Sequence, residues 1–299
     1  MSTIRVGWIG CGVMGCSMAK HLLKNNYSLT LYTRTKQKAE GLLASGATWV
    51  DSPCDVAKNS DVVFSIVGYP RDVEEVLLGQ NGVLKGLDEG GILVDMTTSS
   101  PSLAETIAAK AAEKGCSALD CPVTGGDVGA KNASLSIFVG GETNALTKIK
   151  PLLACMGKKI LYCGSAGMGQ RAKLANQIAI AGVMFSTCES LLFASQAGLN
   201  PREWLEAVVA GAAGSTAMNT LGRRILDGDF KPGFFIDHFI KDLGLCLDEC
   251  KRLGLVLPGT IAAEELYRFL QAQGHGKDGT QMLIAGLAKM CNKEWKAVP

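Results

Sequence analysis

The sequence shows no excess of charge of either sign and no long basic run. Thirty lysines and arginines stand against 28 aspartates and glutamates, which gives a formal charge of +2 at pH 7, and basic residues never occur in runs longer than two. Proteins that bind nucleic acid or an anionic membrane through charge concentrate basic residues on one surface. The sequence therefore argues against both partners and favours a small-molecule ligand.

Cysteine and histidine motifs are also missing. Eleven cysteines are scattered over 299 residues without a Cys-x-x-Cys pair. Cys246 and Cys250 share a helix face but have no further ligands at metal spacing. His21, His238 and His275 belong to no motif that would build a catalytic triad. We therefore expect reduced thiols, structural histidines, no metal site and no serine or cysteine nucleophile.

The sequence has no leader-like segment, in which a charged stretch precedes an apolar one, before the first apolar run at Ile4. Together with the scattered cysteines this predicts a cytoplasmic protein. The charge-free run at residues 174–188 includes polar residues such as Asn176 and Gln177. We expect this run to be too short and too polar to span a bilayer.

Length and element order predict two domains. The chain is 47% hydrophobic and 19% charged, as in globular proteins, and is long enough for two domains. Up to about residue 165, short β-branched runs alternate with helical patterns, which indicates a parallel sheet with crossover helices. The strand-like runs are IRVGWIG, SLTLYT, DVVFSIV, GILVDM, SALDCPV, SLSIFVGG and KKILYCG. From about Gly169 the pattern is helical. We predict an α/β fold with a Rossmann-type doubly wound parallel sheet in residues 1–165, followed by an all-α domain in residues 166–299.

A glycine-rich turn follows the first predicted strand and opens a helix. It reads Gly10-Cys11-Gly12-Val13-Met14-Gly15, a G-x-G-x-x-G motif. In such motifs the first glycine makes the tight turn, the second lets a pyrophosphate approach the backbone, and the third lets helix and strand pack closely. Glycine-rich turns without ligands exist, but this position at the start of a βαβ unit favours a dinucleotide site.

The end of the second predicted strand indicates which dinucleotide binds. An acidic residue there would hold a ribose 2′-hydroxyl, whereas an arginine would accept a 2′-phosphate. The sequence reads Thr33-Arg34-Thr35-Lys36, with Thr33 where the acid is expected. This favours NADP, with NAD as the other possible cofactor. The alternative is that Arg34 and Lys36 are only solvated at a helix start.

Four separated blocks resemble the β-hydroxyacid dehydrogenase family, which includes 3-hydroxyisobutyrate dehydrogenase, tartronate semialdehyde reductase and glyoxylate/succinic semialdehyde reductases. The blocks are WIGCGVMGCSMAKHLL, DCPVTGGDVGAKNASLSIFVGG, GMGQRAKLANQ and FKPGFFIDHFIKDL. The stretch from AGSTAMNTL to FIKDL is most similar to tartronate semialdehyde reductase. Three residues depart from the usual pattern: Thr124 replaces a serine, Ala133 a glycine, and Gln177 a second asparagine.

The middle block suits an anionic substrate. Thr124, Gly125 and Gly126 can turn successive backbone N–H groups toward a carboxylate. The alternative from the residues alone is a plain turn after the preceding strand.

The resemblance also assigns residues that contact the cofactor. It places Thr97 there and puts Val67 and Gly68 in the same crevice. From the sequence alone, Thr97 and Thr98 read equally as a helix cap before Pro101.

Lys173, Asn176 and Gln177 fall three and four residues apart, so on a helix they share one face. The resemblance gives Lys173 the role of proton donor in hydride transfer to an aldehyde, in which charge develops on the oxygen. It implies that Asn176 orients the lysine or the substrate and that Gln177 contacts the substrate. The alternative is a solvated lysine in the first turn of a helix.

Lys241 matches a family lysine that reaches the cofactor. Its alternative is a solvated partner of Asp237 or Asp242. The resemblance further implies a homodimer or homotetramer, and apolar residues on all sides of the helix from residue 174 to 193 favour burial against another subunit.

The function that these residues favour is reduction, by NADPH, of a small aldehyde that carries a carboxylate to a β-hydroxy acid, with tartronate semialdehyde as the leading substrate. Glyoxylate, succinic semialdehyde and methylmalonate semialdehyde are the other candidates. An imine reductase on the same scaffold would normally lack a lysine at position 173. A non-catalytic dinucleotide-binding module would keep the glycine turn and lose the Lys173–Asn176 pair.

Overall fold

The computed structural model describes residues 4–298. The chain divides into two compact units, the first ending at Lys173 and the second beginning at Leu174. This division falls later than the predicted boundary at residue 165. The reason is local, because Gln170 at the start of a long helix donates and accepts hydrogen bonds with the backbone of Thr97 and Ser99 in the first unit.

The first unit is built on a nine-stranded sheet. The strands are β1 (Val6–Ile9), β2 (Leu29–Tyr32), β3 (Thr48–Trp49), β4 (Val62–Ser65), β5 (Ile92–Asp95), β6 (Ser117–Asp120), β7 (Val123–Thr124), β8 (Leu135–Gly140) and β9 (Gly157–Gly164). Their order is β3-β2-β1-β4-β5-β6-β8-β7, with β9 paired to β8. The order of the first six strands is that of a Rossmann fold, as predicted.

The far end of the sheet adds antiparallel pairs to the predicted Rossmann-type parallel sheet. Strands β1 to β6 pair in parallel, but β8 runs antiparallel to both β6 and β7 and parallel to β9. Each of the seven predicted runs contains a strand. The two-residue strands β3 and β7 were not predicted, because two residues are too short to show an apolar period.

Helices of the first unit connect these strands. They are α1 (Val13–Lys24), α2 (Glu40–Leu43), α3 (Pro53–Lys58), α4 (Pro70–Leu78), α5 (Val83–Gly86), α6 (Pro101–Glu113), α7 (Gly126–Lys131) and α8 (Thr143–Ala154), with a 3-10 turn at Lys36–Ala39. All four residues of β1, β4 and β5 are buried, since both faces of the sheet are covered. Trp8 and Phe64 stack with ring centroids 5.7 Å apart in this core.

Helices make up the second unit. They are the greater part of α9 (Met168–Gln196), then α10 (Pro201–Val209), α11 (Thr216–Leu226), α12 (Ile236–Leu253), α13 (Pro258–Ala272) and α14 (Leu283–Met290), with a 3-10 turn at Thr280–Met282. Helices α10 and α13 begin at Pro201 and Pro258, because proline is tolerated in the first turn of a helix but not in its interior. Phe239 and Tyr267 pack edge to face at 5.0 Å in the core of this unit.

Helix α9 is longer than the charge-free run suggested. The helix has 29 residues, and its most apolar window has a mean hydropathy of 1.6 and is 39% buried. Among residues 4–298 it is the one helix with the length and composition of a membrane span. The expectation that this segment is too short was wrong, because the helix extends beyond residues 174–188 at both ends. A single such helix is weak evidence for a membrane span, since core helices of water-soluble proteins meet the same criteria.

Candidate active site

The three glycines of the turn between β1 and α1 have different surroundings. Gly10 has a φ of 101°, and a Cβ there would lie 2.1 Å from the Ile66 carbonyl oxygen. A Cβ on Gly15 would lie 2.0 Å from the Gly10 carbonyl oxygen. Gly10 therefore has to be glycine because of its positive φ and its close approach to Ile66, and Gly15 has to be glycine to let the helix pack against the turn. A Cβ on Gly12 would meet no protein atom within 4 Å.

The start of α1 presents free backbone donors around Gly12. The first hydrogen bond within this helix runs from the Cys16 N–H to the Gly12 carbonyl oxygen, so the amides of residues 13–15 have no acceptor inside the helix. Gly12 and Val13 are exposed and Met14 is half-buried. Donors of this kind at a helix start bind phosphate. The turn, with open space above Gly12, thus fits the pyrophosphate of a dinucleotide.

Thr33, after β2, has its hydroxyl engaged inside the protein. Its Oγ1 accepts the Cys11 N–H at 3.3 Å, and both residues are buried. Thr33 therefore stabilises the backbone of the glycine turn by accepting the Cys11 N–H. Thr33 occupies the position where the sequence pattern leads one to expect a ribose-binding acid. Its buried hydroxyl, unlike a carboxylate, carries no negative charge.

The residues after Thr33 are exposed and carry positive charge. The Arg34 side chain is 79% exposed and lies 3.4 Å from the Asp72 carboxylate. Thr35 is exposed and directly precedes the 3-10 turn, in which the Lys36 ammonium lies over the Trp49 ring, 5.0 Å from its centroid. Both cations therefore follow β2, the strand that pairs with β1, and β1 leads into the glycine turn.

The ends of β4 and β5 form a second part of the crevice. The Thr97 hydroxyl accepts the Val67 N–H at 3.0 Å, and the Thr97 N–H donates to Asp95 at 3.2 Å. Gly68 is half-buried next to Val67. The alternative in which Thr97 and Thr98 cap a helix is wrong, because Ser100 caps α6 by accepting the Leu103 N–H.

Two buried carboxylates near this crevice were missed from the sequence. Asp95 and Asp120 end neighbouring strands and are 6% and 3% exposed. Burial raises the pKa of the Asp95 carboxyl to about 6, against hydrogen bonds from Thr97 and Ser65 that lower it. Burial likewise raises the pKa of Asp120 to about 6, against the backbone N–H groups that donate to it. The available signal was an acid directly after an apolar strand in GILVD and in SALD.

The middle block forms a sharp turn on the edge of the sheet. Thr124 ends β7 opposite Ser136, and the next two residues, Gly125 and Gly126, have φ values of 127° and 64°. Both glycines are exposed, and Gly126 is the first residue of α7, so its N–H has no acceptor within that helix. Ala133 has a φ of 51°, a left-handed conformation that explains why the family usually has glycine there.

Lys173 is buried, with 7% of its surface exposed. It lies near the start of α9, at the end of the first unit. The alternative of a solvated lysine is therefore wrong.

Asn176 and Gln177 lie further along the same uninterrupted helix. The Asn176 amide donates to the Gln177 side chain at 2.9 Å, and Gln177 in turn donates to Asp242 at 2.6 Å. Gln177 is 2% exposed, so its amide is committed to internal hydrogen bonds. Its predicted contact with the substrate stays a prediction.

Lys241 pairs with its neighbour on α12. Its ammonium lies 2.7 Å from the Asp242 carboxylate, and the two side chains are 12% and 2% exposed. Asp237 pairs with Lys277 instead, at 2.9 Å. Lys241 therefore has the predicted acidic partner, but the pair is largely buried. Its predicted contact with the cofactor stays a prediction.

The cysteines and histidines contribute no further site in the part of the chain that the structure describes. All eleven cysteines are free thiols, and among residues 4–298 no three His, Cys, Asp or Glu side chains gather as metal ligands would. His21 lies 2.9 Å from the Ala130 carbonyl oxygen and His275 lies 2.7 Å from Asp278. Burial lowers the pKa of His238.

Comparison with known proteins places both units in one family. Residues 5–164 match the model of the NAD-binding domain of 6-phosphogluconate dehydrogenase, and residues 167–286 match the NAD-binding domain of NADP-dependent 3-hydroxyisobutyrate dehydrogenase. These two matches meet near the predicted boundary at residue 165.

Individual relatives agree with these matches. A probable 3-hydroxyisobutyrate dehydrogenase-like 1, mitochondrial, from Arabidopsis thaliana is 52% identical over 97% of this chain and 87% of its own length. The 2-hydroxy-3-oxopropionate reductase of Escherichia coli is 38% identical over 97% and 99%. The structure of Mycobacterium tuberculosis 3-hydroxyisobutyrate dehydrogenase with L-serine has a TM-score of 0.87 and 27% identity, covering 96% of this chain and 99% of that one. This chain is therefore an NAD(P)-dependent oxidoreductase of the β-hydroxyacid dehydrogenase family.

Proposed function

We propose that this enzyme uses NADPH to reduce small aldehydes that carry a carboxylate, and that tartronate semialdehyde, which gives glycerate, is its main substrate. The observation that carries the proposal is the buried Lys173, 7% exposed, in the unit that also holds the glycine turn. A lysine that is held out of bulk water keeps its ammonium in a defined place instead of in solvent. Such a placement suits a group that stabilises developing charge and donates a proton.

The proposed chemistry assigns a task to each group of residues. When bound, the nicotinamide supplies the hydride in the reductive direction. The Lys173 ammonium stabilises the negative charge that develops on the aldehyde oxygen and donates a proton to it. The N–H groups at Gly125 and Gly126 bind the substrate carboxylate. Asn176 orients the lysine or the substrate.

The names of the relatives support this choice of substrate class. The Escherichia coli relative is named for 2-hydroxy-3-oxopropionate, which is tartronate semialdehyde. The Mycobacterium tuberculosis structure holds L-serine, a three-carbon β-hydroxy acid. The Arabidopsis thaliana relative is named for 3-hydroxyisobutyrate, which keeps that compound as the alternative substrate.

The experiment that tests this function is an NADPH oxidation assay over a panel of compounds. The panel contains tartronate semialdehyde, glyoxylate, succinic semialdehyde, methylmalonate semialdehyde and one cyclic imine. We expect turnover of the aldehydes, fastest with tartronate semialdehyde, and none with the imine. Turnover of the imine alone would identify an imine reductase. No turnover of any compound would favour a non-catalytic dinucleotide-binding module.

Cofactor preference gives the next prediction. Because Arg34 is exposed beside the turn and no acid takes the place of a ribose ligand, we expect NADPH to be preferred over NADH. Replacing Arg34 with alanine removes a charged phosphate contact. Such a contact contributes about 1.5–3 kcal/mol, so the affinity for NADPH should fall roughly ten- to a hundredfold while that for NADH changes little.

Arg5→Ala is the matched control for this measurement. Arg5 is also exposed and also paired to an acid, Asp61, at 2.7 Å, but it precedes β1 at the opposite end of the strand from the turn. Fluorescence titrations should show an unchanged preference in Arg5→Ala. Equal affinities for both cofactors in the unsubstituted protein would contradict the proposed NADP preference.

We also propose that the enzyme is a homodimer or homotetramer. Within the protomer, one side of α9 is exposed along residues of which only Glu189 is charged: Ala175, Ala179, Gly182, Ser186, Glu189 and Phe193. Phe193 is 72% exposed. Burying this stripe against a second copy would remove its apolar surface from water.

Light scattering with one substitution tests the assembly. A Cβ on Gly182 meets no atom within 4 Å, so Gly182→Glu adds charge to the stripe without a clash inside the protomer. We expect the multimer to dissociate in Gly182→Glu and to persist in Gly41→Glu, where the added Cβ is equally unobstructed. A mass near 31.4 kDa for the unsubstituted protein would refute the assembly.

A cytoplasmic location is the last part of the proposal. It is supported by the eleven free thiols of the structure, since disulfides are rare in reducing compartments. Imaging of a fluorescent fusion of the full chain tests it, and an organellar signal would contradict it.

A further inference from the structure

Helix α9 is capped at its start by a residue from another element. Gly167, with a φ of 85°, precedes its first residue and offers no side chain. Asp120, the last residue of β6, accepts the Gly167 N–H at 2.8 Å and the Gln170 N–H at 2.7 Å. Several other helices use their own capping side chains instead: Ser52, Ser100, Asn200 and Ser215. The start of α9 is therefore attached to the sheet of the first unit.

The Asp120 carboxylate has a fixed position. It is 3% exposed. A Cβ on Gly140 would lie 2.5 Å from one of its oxygens, and a Cβ on Gly169 would lie 2.8 Å from the other. Both neighbours must be glycine for the carboxylate to sit there, so the helix start and the strand end are in direct contact around it.

Gln170 ties the same helical turn to the crevice. Its side chain is fully buried, accepts the Ser99 N–H at 2.9 Å and donates to the Thr97 carbonyl oxygen at 2.8 Å. Thr97 in turn accepts the Val67 N–H. The first turn of α9 is thereby hydrogen-bonded to the end of β6 and to the segment that follows β5, and through Thr97 to the segment that follows β4.

Lys173 lies three residues after Gln170, on the same face of the helix. Four hydrogen bonds at Asp120 and Gln170 fix both the rotation and the axial position of this first turn. We propose that Asp120 and Gln170 are positioning residues, which set the place of the Lys173 ammonium relative to the crevice at Val67 and Thr97. This inference rests on the proposed role of Lys173 as proton donor.

The test replaces Gln170 with methionine, which keeps the volume and removes both side-chain hydrogen bonds. We expect kcat to fall roughly 10- to 100-fold, since displacement of a reacting group by about 1 Å costs that much. The dissociation constant for NADPH should change less than about threefold, because Thr97 remains held by Val67 and Asp95.

Gln281→Met is the matched control. Gln281 is 1% exposed, and its amide also makes two hydrogen bonds to backbone, with the carbonyl oxygens of Asp229 and Lys231 at 3.0 and 3.1 Å. The Gln281→Met substitution should cost the protein a comparable amount of stability, but Gln281 lies in the second unit. Thermal denaturation should show both variants folded at the assay temperature, and kcat should be normal in Gln281→Met.

A double variant separates positioning from a merely structural role. If Gln170 acts through Lys173, adding Gln170→Met to Lys173→Ala should lower the remaining turnover by less than about twofold, because no donor is left to position. If Gln170 only stabilises the fold, the two losses should multiply. Asp120→Asn, which keeps the size but replaces one acceptor with a donor, gives the same comparison should Gln170→Met fail to fold.

The outcomes distinguish this inference from the proposed function. A large loss in Lys173→Ala with normal kcat in both Gln170→Met and Asp120→Asn overturns the positioning role and leaves the proposed function standing. Losses that multiply in the double variants also overturn it. Normal turnover in Lys173→Ala overturns both proposals together.

Discussion

Replacing Lys173 with alanine should lower kcat by roughly 10²- to 10⁴-fold, the usual contribution of a positioned general acid. This corresponds to about 3–5 kcal/mol in the activation barrier. The expected loss comes from the developing charge on the aldehyde oxygen, which would no longer meet an ammonium group. The affinity for NADPH should change little, because the amides that bind its pyrophosphate lie at the start of α1. Stopped-flow turnover with saturating cofactor measures the first effect and fluorescence titration the second.

Lys110→Ala is the control for this experiment. Lys110 is exposed on α6 in the same unit, so its loss should leave kcat unchanged. Circular dichroism should show that Lys173→Ala remains folded. A folded Lys173→Ala protein with near-normal turnover would show that Lys173 does not donate the proton.

Gly12→Val should remove dinucleotide binding without harming the fold. A Cβ at this position meets no protein atom within 4 Å, so the valine side chain enters the space that the pyrophosphate needs. Losing two hydrogen bonds to a charged group, each contributing about 1.5–3 kcal/mol, weakens binding by roughly 10²-fold or more. Titration with NADPH measures the loss, and the melting temperature should stay near that of the unsubstituted protein.

Gly15→Val should instead destabilise the fold. Its added Cβ would lie 2.0 Å from the Gly10 carbonyl oxygen, so the helix would have to separate from the strand, and the protein should lose stability first. The two glycines of one motif therefore have separable roles. Tight NADPH binding by a folded Gly12→Val protein would contradict the assignment of the pyrophosphate to this turn.

The glycine turn and the strands of the sheet could be predicted from the sequence because their signals are local. The spacing of Gly10, Gly12 and Gly15 at the start of a βαβ unit is a known sequence pattern, although the Ile66 carbonyl oxygen that a Cβ on Gly10 would meet lies beyond that unit. The apolar runs of β1, β4 and β5 are continuous because the strands are buried on both faces. The exposed Arg34 could be located in the same way, since it lies two residues after the end of β2.

The hydrogen bonds around the proposed site could not be predicted, because they join distant parts of the chain. Asp120 meets Gln170 across 50 positions and Gln177 meets Asp242 across 65. No local period contains these pairs. Thr33 illustrates the same limit. The sequence correctly predicted that Thr33 follows β2, but it did not predict that the Thr33 hydroxyl accepts the Cys11 N–H.

The reversal of β8 is a related case. An apolar run indicates a strand but not its direction, and here the chain turns back through Gly125 and Gly126, whose positive φ values allow the reversal. The predicted parallel pattern holds for β1 to β6, whereas β8 and β9, which pair in parallel with each other, run in the opposite direction. That turn is also where the proposed carboxylate site lies.

The most direct test of the proposed function compares two aldehydes that differ only in the carboxylate. NADPH oxidation should be measured with tartronate semialdehyde and with glycolaldehyde, and the product of the first should be identified by mass spectrometry as glycerate. We expect kcat/KM to be roughly 10²-fold higher or more for tartronate semialdehyde, because hydrogen bonds to a charged group contribute about 1.5–3 kcal/mol each. Equal values for the two aldehydes, or no NADPH oxidation with either, would contradict the proposed function.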